Sequence, residues 1–188
     1  VGLESVRTTS YALGIETKLP LVPSLSLGVA ELDPIELLQA YATLANRGVK
    51  QELQVIHSIT FPNGTDFTRF TSTAQQVIDP ATADLLTDML QDVFKFGTAR
   101  NTANLGFIHP AAGKTGTTNN YRDAWMAGYT PHLTTVVWVG MDQSTNTTSS
   151  SVKLTGSNSA LPIWALFMKK ALKNEPQTPF HPSPFLEE

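Results

Sequence analysis

The sequence predicts an α/β fold in which a helix-rich part leads into an antiparallel sheet flanked by helices. Three observations predict it. Apolar residues recur at helical spacing in segments before residue 106, two of them opened by Asp-Pro. From Ala111 the period drops to two, and near 160 to 173 an amphipathic helix returns after the strands.

The opening stretch, VGLESVRTTSYALGI, spaces Val1, Leu3, Val6, Tyr11 and Leu13 as one helical face. In LDPIELLQAYATLANRG, Asp33 is positioned to cap, Pro34 sits at the first helical position, Glu36 completes a capping box and Gly48 ends the helix. Its predicted core stripe is Ile35, Leu38, Tyr41, Ala42 and Ala45. The segment ELQVIHSITFPNGTDFTRF alternates on both sides of Pro62-Asn63-Gly64, which predicts a hairpin forming a surface flap. A third helix begins at Asp79-Pro80, with Leu85, Leu86, Met89, Leu90, Val93 and Phe94 spaced for one buried face, and KFGTA at 95 to 99 ends it. AAGKTGTT, AWMAGYTP and LTTVVWVGM then read as successive antiparallel strands joined by NNYRD and a Pro131-His132 turn. The last helix carries Lys169, Lys170 and Lys173 at its negative end. The proline-rich tail NEPQTPFHPSPFLEE reads as an ordered strap or a flexible linker.

The chain has 188 residues, 41% apolar and 15% charged, enough to bury a core. A net charge of -3 without a block of Lys or Arg gives no electrostatic footprint for nucleic acid or acidic lipid. Absence of cysteine removes disulfides, thiolate metal sites and a cysteine nucleophile, and fits an extracytoplasmic bacterial protein. Its longest apolar runs, VVWVGM and ALPIWALFM, fall far short of the roughly 18 residues a spanning helix needs. The first residue reads as a cut inside a longer polypeptide.

Gly113-Lys114-Thr115 looks at first like phosphate binding. A phosphate loop needs glycine five residues before Gly113, where this chain has Ile108, and Pro110 lacks an N–H to offer. The GTTNN that follows is a poor helix start. Shifted by one residue, Lys114-Thr115-Gly116-Thr117 lies on a strand, beside RDAWMAGYTP, and is accompanied by PSLSLGVAELDPIELLQAYATLANRG, by GTA at 97 to 99 and by TGSNSALPIW.

In these motifs residues 1 to 174 resemble the C-terminal portion of the transpeptidase domain of class A, bifunctional penicillin-binding proteins. The chain departs from the family pattern at Ser157, where a second glycine is usual. The resemblance implies the penicillin-recognising serine transpeptidase fold without its N-terminal part: residues 1–106 as a helix-rich part with a hairpin, 107–174 as strands and a last helix, and 175–188 as the tail. It implies peptidoglycan D,D-transpeptidation, with stem peptides ending in D-Ala-D-Ala and β-lactams as partners and no cofactor. It further implies a parent anchored in the membrane through an upstream segment and acting outside the cytoplasm.

In such a site the strand pairs with an extended substrate, and Gly116 lets the substrate approach. Lys114 is expected to place positive charge and support proton transfer, Thr115 and Thr117 to grip a terminal carboxylate, the Thr117 N–H to face an oxyanion hole, and Thr118 to border the substrate. By motif order the S-x-x-K nucleophile and the S-x-N serine are expected upstream of Val1, in the other half of the same domain, so the isolated chain is expected not to react with penicillin. SSVK at 150 to 153 and STN at 144 to 146 match the bare patterns but sit in a Ser/Thr-rich loop and read as decoys. The alternatives are a D,D-carboxypeptidase or β-lactamase of the same fold, in which water replaces the acceptor amine, and a non-catalytic penicillin-binding sensor or remnant.

His57, His109, His132 and His181 lack metal-site spacing and imply surface or turn roles. Trp125, Trp138 and Trp164 are expected in the core. Arg122 and Asp123 read as a pair across the turn or as residues shaping a groove entrance.

Overall fold

The computed structural model describes residues 2–69, 71–141 and 153–185. Among these residues four α-helices and seven strands alternate with short 3-10 turns and one π turn, Gly156–Ala160: α1 (Leu3–Leu13), α2 (Pro34–Ala45), β1 (Val49–Gln51), β2 (Ser58–Thr60), β3 (Asp66–Arg69), β4 (Ala74–Gln76), α3 (Pro80–Lys95), β5 (Ala112–Thr117), β6 (Asp123–Tyr129), β7 (Thr134–Gly140) and α4 (Leu161–Ala171).

The helix starts differ in how they are held. At α3 the Asp79 side chain accepts from the amides of Ala81 and Thr82, as an aspartate cap should. At α2 the expected capping box is absent: Asp33 makes no side-chain cap bond. Glu36 instead accepts from the amides of Glu16 and Thr17, at 3.1 and 2.8 Å, and so staples the loop after α1 to α2.

The expected helix stripes hold in part: Tyr41 and Ala45 of α2 and Leu90, Val93 and Phe94 of α3 pack half-buried against the core, but the most buried positions lie beside them. On α2 the buried positions are Gln39, Ala40, Thr43 and Leu44, while Ile35 faces outward. On α3 they are Ala83, Asp84 and Thr87, while Met89 is exposed. Polar residues can replace apolar ones there because each finds a partner: Thr87 bonds the Tyr129 hydroxyl at 2.8 Å and Asp84 is held by Arg47. On α4 the face of Leu161, Trp164, Ala165 and Met168 is buried, as the spacing requires.

The hairpin β2–β3 forms as predicted, with Gly64 at φ 83° and Asn63 Oδ1 accepting from Thr65 N in the turn. A short ladder joins β1 to β4 at its base, a pairing that no alternation in such short strands announces.

The central sheet is antiparallel in the order β5-β6-β7. Its register aligns Thr115 with Met126 and Val137, and Gly116 with Trp125 and Trp138. Trp164 of α4 anchors one face together with Met126, Val137 and Val139. Toward the other face Leu44 of α2 meets Ala112 and Tyr129. The tail is a strap: Thr178 bonds His132 Nε2 at 2.8 Å, and Phe180 packs edge-on against Tyr129.

Candidate active site on the edge strand

Among the described residues β5 has a strand neighbour on one side only, β6. Side chains alternate along it, so Lys114 and Gly116 share one face while Thr115 and Thr117 share the other. Lys114 is exposed and donates from Nζ to the carbonyl oxygen of Thr115 at 2.8 Å. A Cβ at Gly116 would sit 3.2 Å from Trp125 Cβ, so the bare glycine keeps this strand close to β6.

The hydroxyl-bearing face is supported from outside the strand. Thr115 is buried and its Oγ1 lies 2.6 Å from Thr98 Oγ1, in the GTA segment that follows α3. Thr117 is exposed, and its Oγ1 accepts from the amide of Gly156 at 3.0 Å. Because that bond uses an acceptor lone pair, the Thr117 proton remains free to be donated. Thr118 is arranged differently: its hydroxyl donates to Asp123 Oδ2 and accepts from Asp123 N, closing the turn between β5 and β6. Its single proton is therefore already engaged.

Asp123 also accepts from Trp138 Nε1 at 3.0 Å, and among the described residues no ion pair joins it to Arg122. Trp164 is fully buried, as expected, but Trp138 is 52% exposed. It is stacked at a tilt on Trp125 with ring centres 6.0 Å apart. Ser157, where the chain departs from the family pattern, shares a 3.1 Å hydroxyl contact with Thr155, whose side chain caps the turn Gly156–Ala160. A phosphate loop is excluded by the same geometry, since β5 continues through Thr117 into a short 3-10 turn, Asn119–Tyr121, and no helix opens behind Thr115. Ser144 and Ser150, which start the two decoy patterns, lie outside the described residues.

Thr98 and Gly156 are the two site-building residues that sequence reasoning did not assign. GTA and TGSNSALPIW were visible as motifs, yet nothing local in them states what they touch.

Residues 20–165 match the family described as the penicillin binding protein transpeptidase domain. The chain belongs to this family. It is 35% identical over 184 residues to penicillin-binding protein 1A of Aquifex aeolicus, covering 98% of this chain and 24% of that protein. With penicillin-binding protein 2D of Bacillus subtilis it shares 36% identity, covering 97% of this chain and 26% of the relative. The chain thus spans about a quarter of these relatives. Among solved structures it superposes on penicillin-binding protein PonA1 of Mycobacterium tuberculosis with a TM-score of 0.82 at 29% identity, over 94% of this chain and 52% of that one. Penicillin-binding protein 1A of Haemophilus influenzae, at 24% identity, shares the fold with a TM-score of 0.86, covering 97% and 33% of the two chains. The penicillin-recognising fold, mixed helix and sheet, is therefore that of this transpeptidase chain.

Proposed function

We propose that this chain is the K-T-G portion of a peptidoglycan D,D-transpeptidase, with residues 1–174 contributing the C-terminal part of the catalytic domain. The observation that carries the reading is Thr117: an exposed hydroxyl at the end of a strand that, among the described residues, is open on one side, oriented by Gly156 so that its proton is available. An extended stem peptide would add along β5, passing Gly116. Its terminal carboxylate would accept from Thr117 and Thr115, with Lys114 supplying positive charge. Thr118 serves this site by shaping the turn.

The chemistry is acyl transfer. A serine attacks the carbonyl between the two terminal D-alanines, a bond to the serine oxygen forms, and the C–N bond breaks with D-alanine taking the proton. The amine of a second stem peptide then displaces the serine and closes the cross-link. Lys114 assists the proton movements, and the Thr117 N–H faces the oxyanion. β-Lactams occupy the same position and remain attached. The serine comes from a segment outside these 188 residues; in support, the S-x-x-K match of this sequence, Ser150 to Lys153, falls in a Ser/Thr-rich run that reads as a loop and not as a helix start. We place the reaction on the outer side of the cytoplasmic membrane, with the parent protein anchored through an upstream segment. Among the described residues no helix is long and apolar enough to cross a membrane.

Covalent labelling with fluorescent penicillin tests the reading. The complete protein is expected to label, Lys114→Met to reduce labelling by about a hundredfold or more, and the isolated 188 residues to remain unlabelled. Labelling of Lys114→Met at the unsubstituted rate would remove Lys114 from the mechanism. Labelling of the isolated chain would place the nucleophile within it.

A further inference from the structure

Thr98 lies 17 positions before Thr115 and outside the strand, yet its hydroxyl meets Thr115 Oγ1 at 2.6 Å. Its backbone is fixed on both sides. Gly97 N donates to Asp92 O at 3.0 Å and Ala99 N to Val93 O at 3.0 Å, so the segment is folded back over the last turn of α3. A Cβ at Gly97 would lie 2.8 Å from Val93 Cα, and Ala99 is fully buried. The segment is thus a rigid bracket, and the side chain it presents to β5 is Thr98.

We infer that Thr98 is a positioning residue for the carboxylate-binding hydroxyls of the site. Two hydroxyls facing each other hold two protons, of which the contact between them uses one. If Thr98 donates, the Thr115 proton is left free, and the chain Thr98 to Thr115 to carboxylate strengthens each bond in turn. An anion at Thr115 selects that direction. Thr98 and the Gly156 amide then act alike: each donates to a strand hydroxyl from outside β5 and leaves that hydroxyl's proton toward the ligand.

This rests on the transpeptidase reading, and the experiment separates the two. Acylation rate constants are measured on the complete protein, unsubstituted and as Thr98→Val and Thr98→Ser, with benzylpenicillin and with its methyl ester, which lacks the anionic carboxylate. Thr98→Val is expected to slow benzylpenicillin about tenfold, to leave the ester rate unchanged, and to be rescued by Thr98→Ser. Thr98→Ala gives the same comparison where valine is not accommodated. An unchanged benzylpenicillin rate, or an equal fall on acid and ester, overturns the inference and reduces Thr98 to packing. Failure of the unsubstituted protein to acylate with either compound overturns both the inference and the function on which it stands.

Discussion

The amide of Gly156 donates to Thr117 Oγ1 at 3.0 Å, tying the turn that precedes α4 to the last residue of the edge strand β5. No side chain fits at that crossing. A Cβ on Gly156 would lie 2.7 Å from the carbonyl oxygens of both Gly116 and Trp125, atoms of the two strands themselves.

Gly156→Ala is therefore expected to push the turn away from β5 and break its bond to Thr117. Because the obstructing atoms are backbone, relief requires strand movement, and a loss of about 1–3 kcal/mol in stability follows. Thermal unfolding of the complete protein and its benzylpenicillin acylation rate should fall together. A fully stable, fully reactive Gly156→Ala protein would show that the turn can retreat without cost.

Arg47 and Asp84 form a second long-range tie, with Nε to Oδ1 at 3.0 Å and Nη2 to Oδ2 at 2.7 Å. Their exposures are unequal: the aspartate side chain is 5% exposed and the arginine 46%. The bond to Asp84 raises the already high pKa of Arg47 further. Removing Arg47 leaves a buried carboxylate without its partner, so Arg47→Ala should destabilise by about 2 kcal/mol, the low side of buried pairs because one end is wet. Replacing both, as Arg47→Met with Asp84→Leu, should recover most of that loss in urea unfolding. A double variant no better than Arg47→Ala would show that the pair supplies more than charge neutralisation.

Glu36 gives a pH dependence. Partial burial pushes its carboxyl upward, but the hydrogen bonds from Thr17 and Glu16 outweigh this and hold it below its ordinary value of 4.5. A carboxyl lowered in the folded state contributes stability that is present above its unfolded value and is lost as pH falls through the folded one. Glu36→Gln should therefore lower the thermal midpoint near neutral pH and flatten its decline on acidification. Parallel acid limbs for the two proteins would remove Glu36 as the source.

Glu36 also shows where sequence reading stops. Asp33, Pro34 and Glu36 carry the local pattern of a capping box, yet the side chain turned to amides some twenty residues away, an option no window of one helix turn contains. The strands from Ala112 to Gly140 were legible because the period of two along the sequence and the turn residues between the strands are local signals. Lys114, Thr115, Gly116 and Thr117 could be named only through the family resemblance that they and their neighbouring motifs carry, which alternation by itself does not supply. Thr98 and Gly156 could not, since their roles exist only once α3 and α4 have closed on the strand. The buried polar positions of α3 have the same origin: Asp84 and Thr87 look solvent-facing until Arg47 and Tyr129 arrive from elsewhere in the chain.

Trp164 offers the sharpest test of how the core supports the site. It is fully buried, lies 5.4 and 5.2 Å from the rings of Phe94 and Phe107, and donates from Nε1 to the Thr135 carbonyl oxygen at 3.0 Å. Beside it Met126 pairs in register with Thr115, so the indole reaches the site through one intervening side chain. Trp164→Ala should cost about 3–5 kcal/mol, the usual range for a large core aromatic. Trp164→Phe should cost less, because the ring is largely replaced and the main loss is the donor to Thr135. If the core acts on the site through packing, Trp164→Phe will lower the unfolding midpoint while the acylation rate at low temperature stays near that of the unsubstituted protein. A rate that collapses in a still-folded Trp164→Phe protein would instead mean that Met126 transmits the change directly to Thr115.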